Sequence, residues 1–295
     1  MFHSWKVGKR MLIKEYDEEG LFLKDYENHI RKKEAVGQLL LYPAYNSLSP
    51  MDEGKEIYGA VLHEQEPILL FCNKIGHNLI LLSLQQDISV DAAVALADHF
   101  GSRNIAIARI TGRGELCQSF IDQYKMLVPC NFLQNQETEI MEIRQVNEQK
   151  PISGQQRLAD PSEAKLVADW MLRFWMEARM SELDYEVALV KATWLIEEKK
   201  LYLYENEEGE AVSMAAICKK VLSGIMITYI YTPEEHRGMG YTAYNIYYLS
   251  KFLLSQGYDF CTLLSDKKNL PLKRAYEKVG YQTLEDVCEY MLLQP

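Results

Sequence analysis

A pair of glycines stands towards the end of the chain, where an apolar, strand-like pattern gives way to a helical one. Gly238 and Gly240 follow Arg237 and precede a tyrosine-rich segment with helical spacing. Glycines let the backbone approach an oxygen atom without an intervening Cβ. A helix N-terminus adds free N–H donors and the positive end of the helix dipole. These residues therefore predict a cradle for a phosphate group.

Three kinds of phosphate site compete for this stretch. As G-x-G-x-x-A, Gly238 to Ala243 superficially fit the dinucleotide-binding fingerprint, with Asp266 near the place of the ribose-binding acid. However, residues 233–237 separate the strand from the first glycine, and only about 50 residues follow, too few for a doubly wound sheet. A P-loop fails because no Gly-Lys-Ser/Thr follows. A third kind of site, for coenzyme A and its pyrophosphate, depends on the neighbouring elements.

Hydrophobic periodicity predicts the elements that must position the loop. In the second half, Asp160, Pro161 and Glu163 form a helix start ahead of an apolar stripe with helical spacing. A second helix, a three-stranded meander, the glycine loop, a helix, a strand, another helix and the closing strand "CEYMLLQ" follow. The first half has a similar order of elements and finishes with "NFLQNQETEIMEIRQV". This similarity favours duplicated α/β domains over two unrelated ones.

The neighbourhood of the glycine pair resembles motif A of the GNAT superfamily of acyl-CoA-dependent N-acyltransferases. That motif is a strand, a charged turn with proline, and Arg/Gln-x-x-Gly-x-Gly/Ala opening a long helix. Arg237 and Gly240 match it, while Thr242 stands where a small residue is usual. Downstream, "LLSDKKNLPLKRAYEKVGY" resembles motif B. The resemblance covers roughly residues 155–295, and the first half resembles the degenerate N-terminal half of two-domain bacterial members.

The resemblance implies an α/β (α+β) fold of tandem GNAT-like domains, each a mixed, mostly antiparallel central sheet flanked by helices. Residues 1–148 would form a degenerate GNAT-like domain, and residues 149–295 the catalytic domain that binds acetyl-CoA. Acetyl-CoA would be the co-substrate, with no metal. The residues expected to contact the coenzyme are Ile230, Tyr231, Thr232, Arg237, Gly238, Met239, Gly240, Tyr241, Thr242, Asn269 and Tyr276.

Two residues of the motif B segment have alternative interpretations. Asn269 and Tyr276 are seven residues apart, so they project from nearly the same helix face, about 10 Å apart. Asn269 either contacts the pantetheine arm or serves as a helix N-cap, and the two roles are compatible. Tyr276 either packs in the core or donates a proton to the departing sulfur as general acid.

The general base is not evident, because the apolar strand before the loop carries no carboxylate or histidine. The candidates are Glu234 and Glu235, with Tyr229 and Glu289 as alternatives, acting directly or through water. His236 is a further candidate, although its place in the loop points towards phosphate or solvent. An amine that is already partly neutral in the pocket would need no strong base.

Two functions of different classes follow from the resemblance. The first is the transfer of an acetyl or other short acyl group from coenzyme A to a primary amine of an unidentified small molecule or peptide. The second is a non-catalytic module that holds acyl-CoA for regulation or assembly. We expect one coenzyme site per chain, because the junction after "NLILLSLQ" in the first half has no glycine pair and no arginine, and Asp87 there would repel a phosphate. A Rossmann-type oxidoreductase is the least favoured interpretation.

Composition and charge narrow the classes of partner and the cellular location that we expect for this protein. The 295 residues carry a formal net charge of -10, which argues against a general nucleic-acid binder. The sequence has no apolar run of about 18 residues, so no membrane span is predicted. It also has no signal-peptide pattern, so a cytoplasmic protein is expected. The six cysteines are scattered singly, which indicates free thiols rather than a zinc site. A homodimer is a further expectation.

Overall fold

The computed structural model describes residues 11–41, 56–74, 78–85, 90–150, 152–178, 183–217 and 222–293. The described residues form two compact units. The first contains the residues up to Asn135 together with those from Val287 onward, and the second runs from Gln136 to Asp286. No helix in the described segments is both long and apolar enough to cross a membrane.

The first unit contains a mixed sheet, and helices pack on it to form a hydrophobic core. Its elements are β1 (Met11–Tyr16), α1 (Glu19–Arg31), α2 (Glu34–Leu41), β2 (Glu56–His63), β3 (Glu66–Lys74), β4 (Asn78–Ser83), α3 (Val90–Ser102), β5 (Arg109–Gly112) and α4 (Gly114–Leu127). Strands β1 to β4 pair antiparallel in chain order, and β4 pairs parallel with β5. Helices α3 and α4 pack their apolar faces on this sheet.

Between its first and last strands, the second unit has the same order of strands and helices as the first. Its elements are β6 (Phe132–Ile143), β7 (Gln155–Leu158), α5 (Ala164–Glu177), α6 (Tyr185–Glu197), β8 (Leu201–Glu205), β9 (Ala211–Ile217), β10 (Ile225–Tyr231), α7 (Tyr241–Ser255), β11 (Cys261–Asp266), α8 (Leu270–Val279) and β12 (Gln282–Leu292). Strands β7 to β10 pair antiparallel, and β10 pairs parallel with β11. Helices α5 and α6 pack on one face of the sheet, and α7 and α8 on the other.

The predicted start of the second half's first helix is confirmed. The Asp160 side chain accepts a hydrogen bond from the Ser162 N–H at 2.9 Å, and Glu163 accepts one from the Asp160 N–H at 2.7 Å. This reciprocal capping box closes a short 3-10 turn, Pro161–Glu163, that leads into α5.

The strand that closes each half of the sequence pairs with the sheet of the other unit. Residues 138–143 of β6 pair with β11 inside the second unit, and residues 288–291 of β12 pair with β5 inside the first. Each half's last strand thus completes the sheet of the other unit. The apolar alternation of these segments identifies them as strands, but alternation does not specify the neighbouring strand. The compact units therefore have other bounds than the predicted domains 1–148 and 149–295.

Candidate active site

A gap opens between strands β10 and β11 in the second unit. The two strands pair only where they begin, at Ile225 with Cys261 and Met226 with Thr262. Strand β10 then continues to Tyr231, and β11 to Asp266. Past the last pair, no ladder joins the described residues of β10 to β11, and an unpaired strand edge can hydrogen-bond an extended ligand. We call the interval between the two strands past this pair the wedge.

A β-bulge bends β10 beside this opening. The register between β10 and β9 shifts between Thr228 and Tyr231, and Tyr229 has a left-handed backbone with a φ of 48°. Positive φ is uncommon for a bulky residue, and a bulge of this kind bends the strand and increases its twist. The Tyr229 ring packs on Trp175 and Phe174 of α5, with centroid distances of 6.4 Å and 5.7 Å. The bulge is therefore held in place by aromatic packing on the α5 face.

The glycine loop lies between the end of β10 and the start of α7. Gly238 and Gly240 have φ values of 80° and 88°, a conformation in which a side chain is strained. An added Cβ on Gly238 would meet no atom within 4 Å, so the requirement for glycine is conformational at this position. Gly240 is the N-cap of α7, and no side chain caps this helix. The first N–H groups of α7 are thus available to an anion.

Two threonines tie the ends of this loop together. The hydroxyls of Thr232, just after β10, and Thr242, in the first turn of α7, share a hydrogen bond of 2.7 Å. Thr242 occupies the position at which motif A has a small residue. Its hydroxyl is turned to Thr232, so its observed role is to brace the loop.

The remaining loop residues are more exposed. Glu234 and Glu235 lie on an exposed 3-10 turn, Glu234–His236, that adjoins the glycine loop. His236 lies 3.5 Å from Glu210, measured from Nε2 to Oε1. Met239 is exposed at the tip of the loop. Neither carboxylate of the turn is brought into the core cluster that contains Tyr276.

Tyr241 begins α7 beside the loop. Its ring centroid lies 5.9 Å from that of Tyr204 and 6.4 Å from that of His236. These aromatic contacts hold the Tyr241 side chain in place at the start of α7, beside the first N–H groups of that helix.

Arg237 does not point its guanidinium into open solvent. Its Nη2 donates to both carboxylate oxygens of Glu177, at 2.7 Å and 2.8 Å, and its Nε donates to the Thr232 carbonyl at 2.9 Å. Glu177 is the last residue of α5, and sequence reasoning missed it. No local pattern marks it, because its partner lies 60 residues further along the chain.

Helix α8 carries both motif B residues in distinct roles. Asn269 is the N-cap, with its Oδ1 accepting a hydrogen bond from the Leu272 N–H at 3.2 Å. Tyr276 is buried, with 1% of its surface exposed, in the cluster that also contains Ile230 of β10 and Leu263 of β11. Its hydroxyl has no hydrogen-bond partner among the described residues. Burial raises the pKa of Tyr276 well above its ordinary value, so the phenol stays protonated at neutral pH.

Glu289, another candidate base, lies in the first unit. It accepts a hydrogen bond from the Asn135 amide at 2.8 Å and lies 3.6 Å from an Arg109 guanidinium nitrogen. The structure therefore assigns its carboxylate to the sheet that contains β5.

The corresponding strand pair of the first unit does not open in this way. Strands β4 and β5 pair from Asn78 with Arg109 to Ile80 with Thr111, and a Cβ on Gly112 would lie 2.9 Å from the Leu81 carbonyl. Lys33 donates to the carbonyls of Ser83 and Gln85, both at 3.1 Å, at the end of β4. The strand ends are thus packed and hydrogen-bonded. Asp87 and the rest of the junction at 86–89 lie outside the described residues.

The cysteines and acidic residues show no metal site in the described segments, where no group of three or more potential ligands could hold an ion. Cys72, Cys117, Cys261 and Cys288 are buried free thiols, and Cys130 is a partly buried one. Cys218 lies outside the described residues. Burial raises the pKa of the Cys261 thiol to about 12, which keeps it protonated.

The fold is that of tandem GNAT proteins, as comparison with solved structures shows. A Drosophila protein is 11% identical over 96% of this chain and 98% of its own, with a TM-score of 0.62. An acetyltransferase of the GNAT family from Colwellia psychrerythraea is 12% identical, over 96% and 100%, with a TM-score of 0.54. A tandem GNAT protein from the clavulanic acid biosynthesis pathway is 11% identical, over 97% and 99%, with a TM-score of 0.54.

A family model matches part of the second half. Residues 165–281 match the model of the acetyltransferase (GNAT) family. A search of the curated proteins returned no match. The family uses acetyl-CoA as co-substrate, and the matched segment contains the opening between β10 and β11, the glycine loop and α8.

Proposed function

We propose that this protein transfers an acetyl or other short acyl group from coenzyme A to a primary amine. The observation that carries the proposal is the wedge between β10 and β11. Strand β10 leads to the uncapped N-terminus of α7, and Ile230 of β10 and Leu263 of β11 share a core cluster with Tyr276. A pyrophosphate, an extended arm and a sulfur atom could meet the helix N-terminus, the wedge and the Tyr276 hydroxyl in that order. Coenzyme A has this arrangement of groups.

The proposed binding contacts follow from the backbone. The N–H groups from Gly238 to Thr242 hold the pyrophosphate at the positive end of α7. The edge of β10 at Ile230 and Tyr231, with Thr232 just after the strand, hydrogen-bonds the amides of the pantetheine arm. A backbone N–H of Ile230 or Tyr231 polarises the thioester oxygen. Asn269 contributes to this cleft through the helix start that its side chain caps.

Tyr276 is the proposed general acid. Bound acetyl-CoA supplies a thioester, whose carbon gains a bond to the amine nitrogen and loses its bond to sulfur. A thiolate is a better leaving group when it receives a proton, and the Tyr276 hydroxyl is protonated and free to donate one. The Tyr276 phenolate is then reprotonated by the proton that the attacking amine releases, which reaches it through solvent. Proton number is conserved over the cycle.

Removal of a proton from the attacking amine is the step for which the fewest candidate side chains are present. Strand β10 has neither a carboxylate nor an imidazole, and Glu234 and Glu235 lie on the exposed turn. They remain the proposed bases, acting through water. The absence of an acid or histidine on β10 also favours the second candidate function, a module that binds acyl-CoA without turnover.

One experiment separates the two functions. The full chain is titrated with acetyl-CoA by calorimetry and then assayed for thiol release across a broad panel of primary amines, with Tyr276→Phe in parallel. The enzyme predicts amine-dependent release that Tyr276→Phe slows by about 100-fold without loss of acetyl-CoA affinity. Binding without release for any amine would favour the binding module, and no binding at all would contradict both.

A further inference from the structure

Arg237, the residue that the motif places next to the phosphate cradle, forms an ion pair with Glu177. The Arg237 guanidinium donates to both oxygens of Glu177, at 2.7 Å and 2.8 Å. The Tyr231 hydroxyl also lies 3.5 Å from Glu177, and the guanidinium carbon lies 5.7 Å from the Tyr231 ring centroid. These contacts connect the end of α5, the end of β10 and the glycine loop.

Both members of the pair are accessible to solvent and to ligands. The side chains of Arg237 and Glu177 are 44% and 51% exposed. Exposed ion pairs contribute little to the stability of a fold, because water and salt screen them. The Glu177 carboxylate can therefore be exchanged for another anion at small cost to the protein. A phosphate oxygen is a suitable replacement, since a guanidinium binds phosphate and carboxylate with the same fork of donors.

Arg237 stands directly before the left-handed Gly238, and α7 begins only a few residues later with uncapped N–H groups. A pyrophosphate at these N–H groups would bring a charge of the same sign as Glu177 close to the same guanidinium. Only one of the two anions can have the full set of Arg237 donors. A pyrophosphate would therefore compete with Glu177 for the Nη2 donors, while the Thr232 carbonyl keeps Nε.

We propose that Glu177 is a positioning residue that competes with the coenzyme pyrophosphate for Arg237, and so weakens coenzyme binding and speeds the release of coenzyme A. This inference rests on the proposed function, because it takes coenzyme A as the ligand of the loop. When the loop is empty, the ion pair holds Arg237 on the α5 side. When coenzyme A binds, Arg237 leaves Glu177, and the return of Glu177 displaces the product.

The test is calorimetric titration of the full chain with free coenzyme A at low salt. Glu177→Gln is expected to bind coenzyme A about threefold to tenfold more tightly, because the competing carboxylate is gone while Arg237 remains. Glu177→Asp, which keeps the carboxylate, should bind like the wild type. Arg237→Met should bind more weakly, and adding Glu177→Gln to Arg237→Met should bring no further gain. A merely structural role of Glu177 would not produce tighter binding on its removal.

A matched control separates competition from a general change of charge. Glu198 stands at the end of α6, is 52% exposed and pairs with Lys200 at 3.4 Å. Glu198→Gln should leave coenzyme A affinity unchanged, and the gain from Glu177→Gln should shrink in about 0.5 M salt.

Three results would overturn the inference: unchanged or weaker binding by Glu177→Gln, an equal gain with Glu198→Gln, or a gain that persists in the double variant. If the wild type binds no coenzyme A, the proposed function fails and this inference fails with it. If the wild type binds but Glu177→Gln changes nothing, only the competition is rejected.

Discussion

The rings of Tyr276 and Tyr281 lie 6.1 Å apart in one core cluster, yet their hydroxyls have different surroundings. The Tyr281 hydroxyl shares a 2.8 Å hydrogen bond with Ser250. The Tyr276 hydroxyl has no such partner in the described part of the chain. The Tyr276 hydroxyl is therefore the one of the two that could donate to a ligand.

This contrast provides a matched pair of variants. Tyr276→Phe should lower kcat for thiol release by about 100-fold and leave the affinity for acetyl-CoA unchanged, because only the proton donor is lost. Tyr281→Phe removes a hydroxyl of similar burial and should destabilise the fold by about 1 kcal/mol with kcat retained. Steady-state kinetics and thermal unfolding of both variants check the prediction. A similar loss of kcat in the two would mean that Tyr276 serves only in packing.

The same tyrosine predicts a pH dependence. Burial raises the folded pKa of Tyr276, so its proton stays bound as pH rises past the ordinary tyrosine pKa of about 10. No fall in kcat from loss of this proton should therefore occur below about pH 10. A descending limb near pH 8 that disappears in Tyr276→Phe would contradict this assignment.

The glycine loop can be tested by its backbone conformation. Gly240→Ala places a Cβ on a residue with a φ of 88° and should strain the fold by about 1 to 2 kcal/mol while weakening acetyl-CoA binding at least tenfold. Gly209→Ala is the control, since Gly209 has a φ of 79° in the turn between β8 and β9 with open space around it. It should show the strain in thermal unfolding but bind acetyl-CoA normally. Equal affinities for the two variants would argue against the loop as the phosphate site.

Acid should weaken the start of α5 through Glu163. The hydrogen bonds from Arg157, more than the opposing effect of burial, lower the pKa of Glu163. A carboxyl whose folded pKa is depressed stabilises the protein above its unfolded pKa of about 4.3, and this stabilisation is lost as pH falls through the folded value. The free energy of unfolding of Glu163→Gln, measured between about pH 6 and pH 3, should therefore fall less steeply than that of the wild type. An identical slope would show that the pair is not coupled to folding.

The sequence predicts local features of this fold far better than the partners of its elements. The capping box of Asp160 and Glu163 spans four residues, and the positive φ of Gly238 and Gly240 needs no distant atom to explain it. Both could be recognised because propensity and short-range hydrogen bonds decide them. The family resemblance likewise depends on short motifs.

Long-range features escaped prediction for a physical reason. The exchange of β6 and β12 depends on which sheet edge each strand meets, and alternation of apolar residues carries no such information. The pairing of Arg237 with Glu177 joins residues 60 apart, and the bulge at Tyr229 has no glycine to mark it. The last two features depend on packing against α5 rather than on the residues beside them in sequence.

The number of coenzyme sites tests the difference between the two units. Because β4 and β5 remain in contact at Leu81 and Gly112, the described residues of the first unit offer no opening like that between β10 and β11. Calorimetry should therefore give one acetyl-CoA per chain, and Gly240→Ala should weaken this single event. A stoichiometry of two would show that the first unit also binds.

The central claim is that the wedge of the second unit is an acyl-CoA site, and a crystal structure of the full chain with acetyl-CoA tests it most directly. The account predicts density with the pyrophosphate on the N–H groups from Gly238 to Thr242, the pantetheine arm along the free edge of β10, and the sulfur within hydrogen-bond reach of the Tyr276 hydroxyl. Acetyl-CoA bound elsewhere, or with its sulfur away from Tyr276, would contradict it.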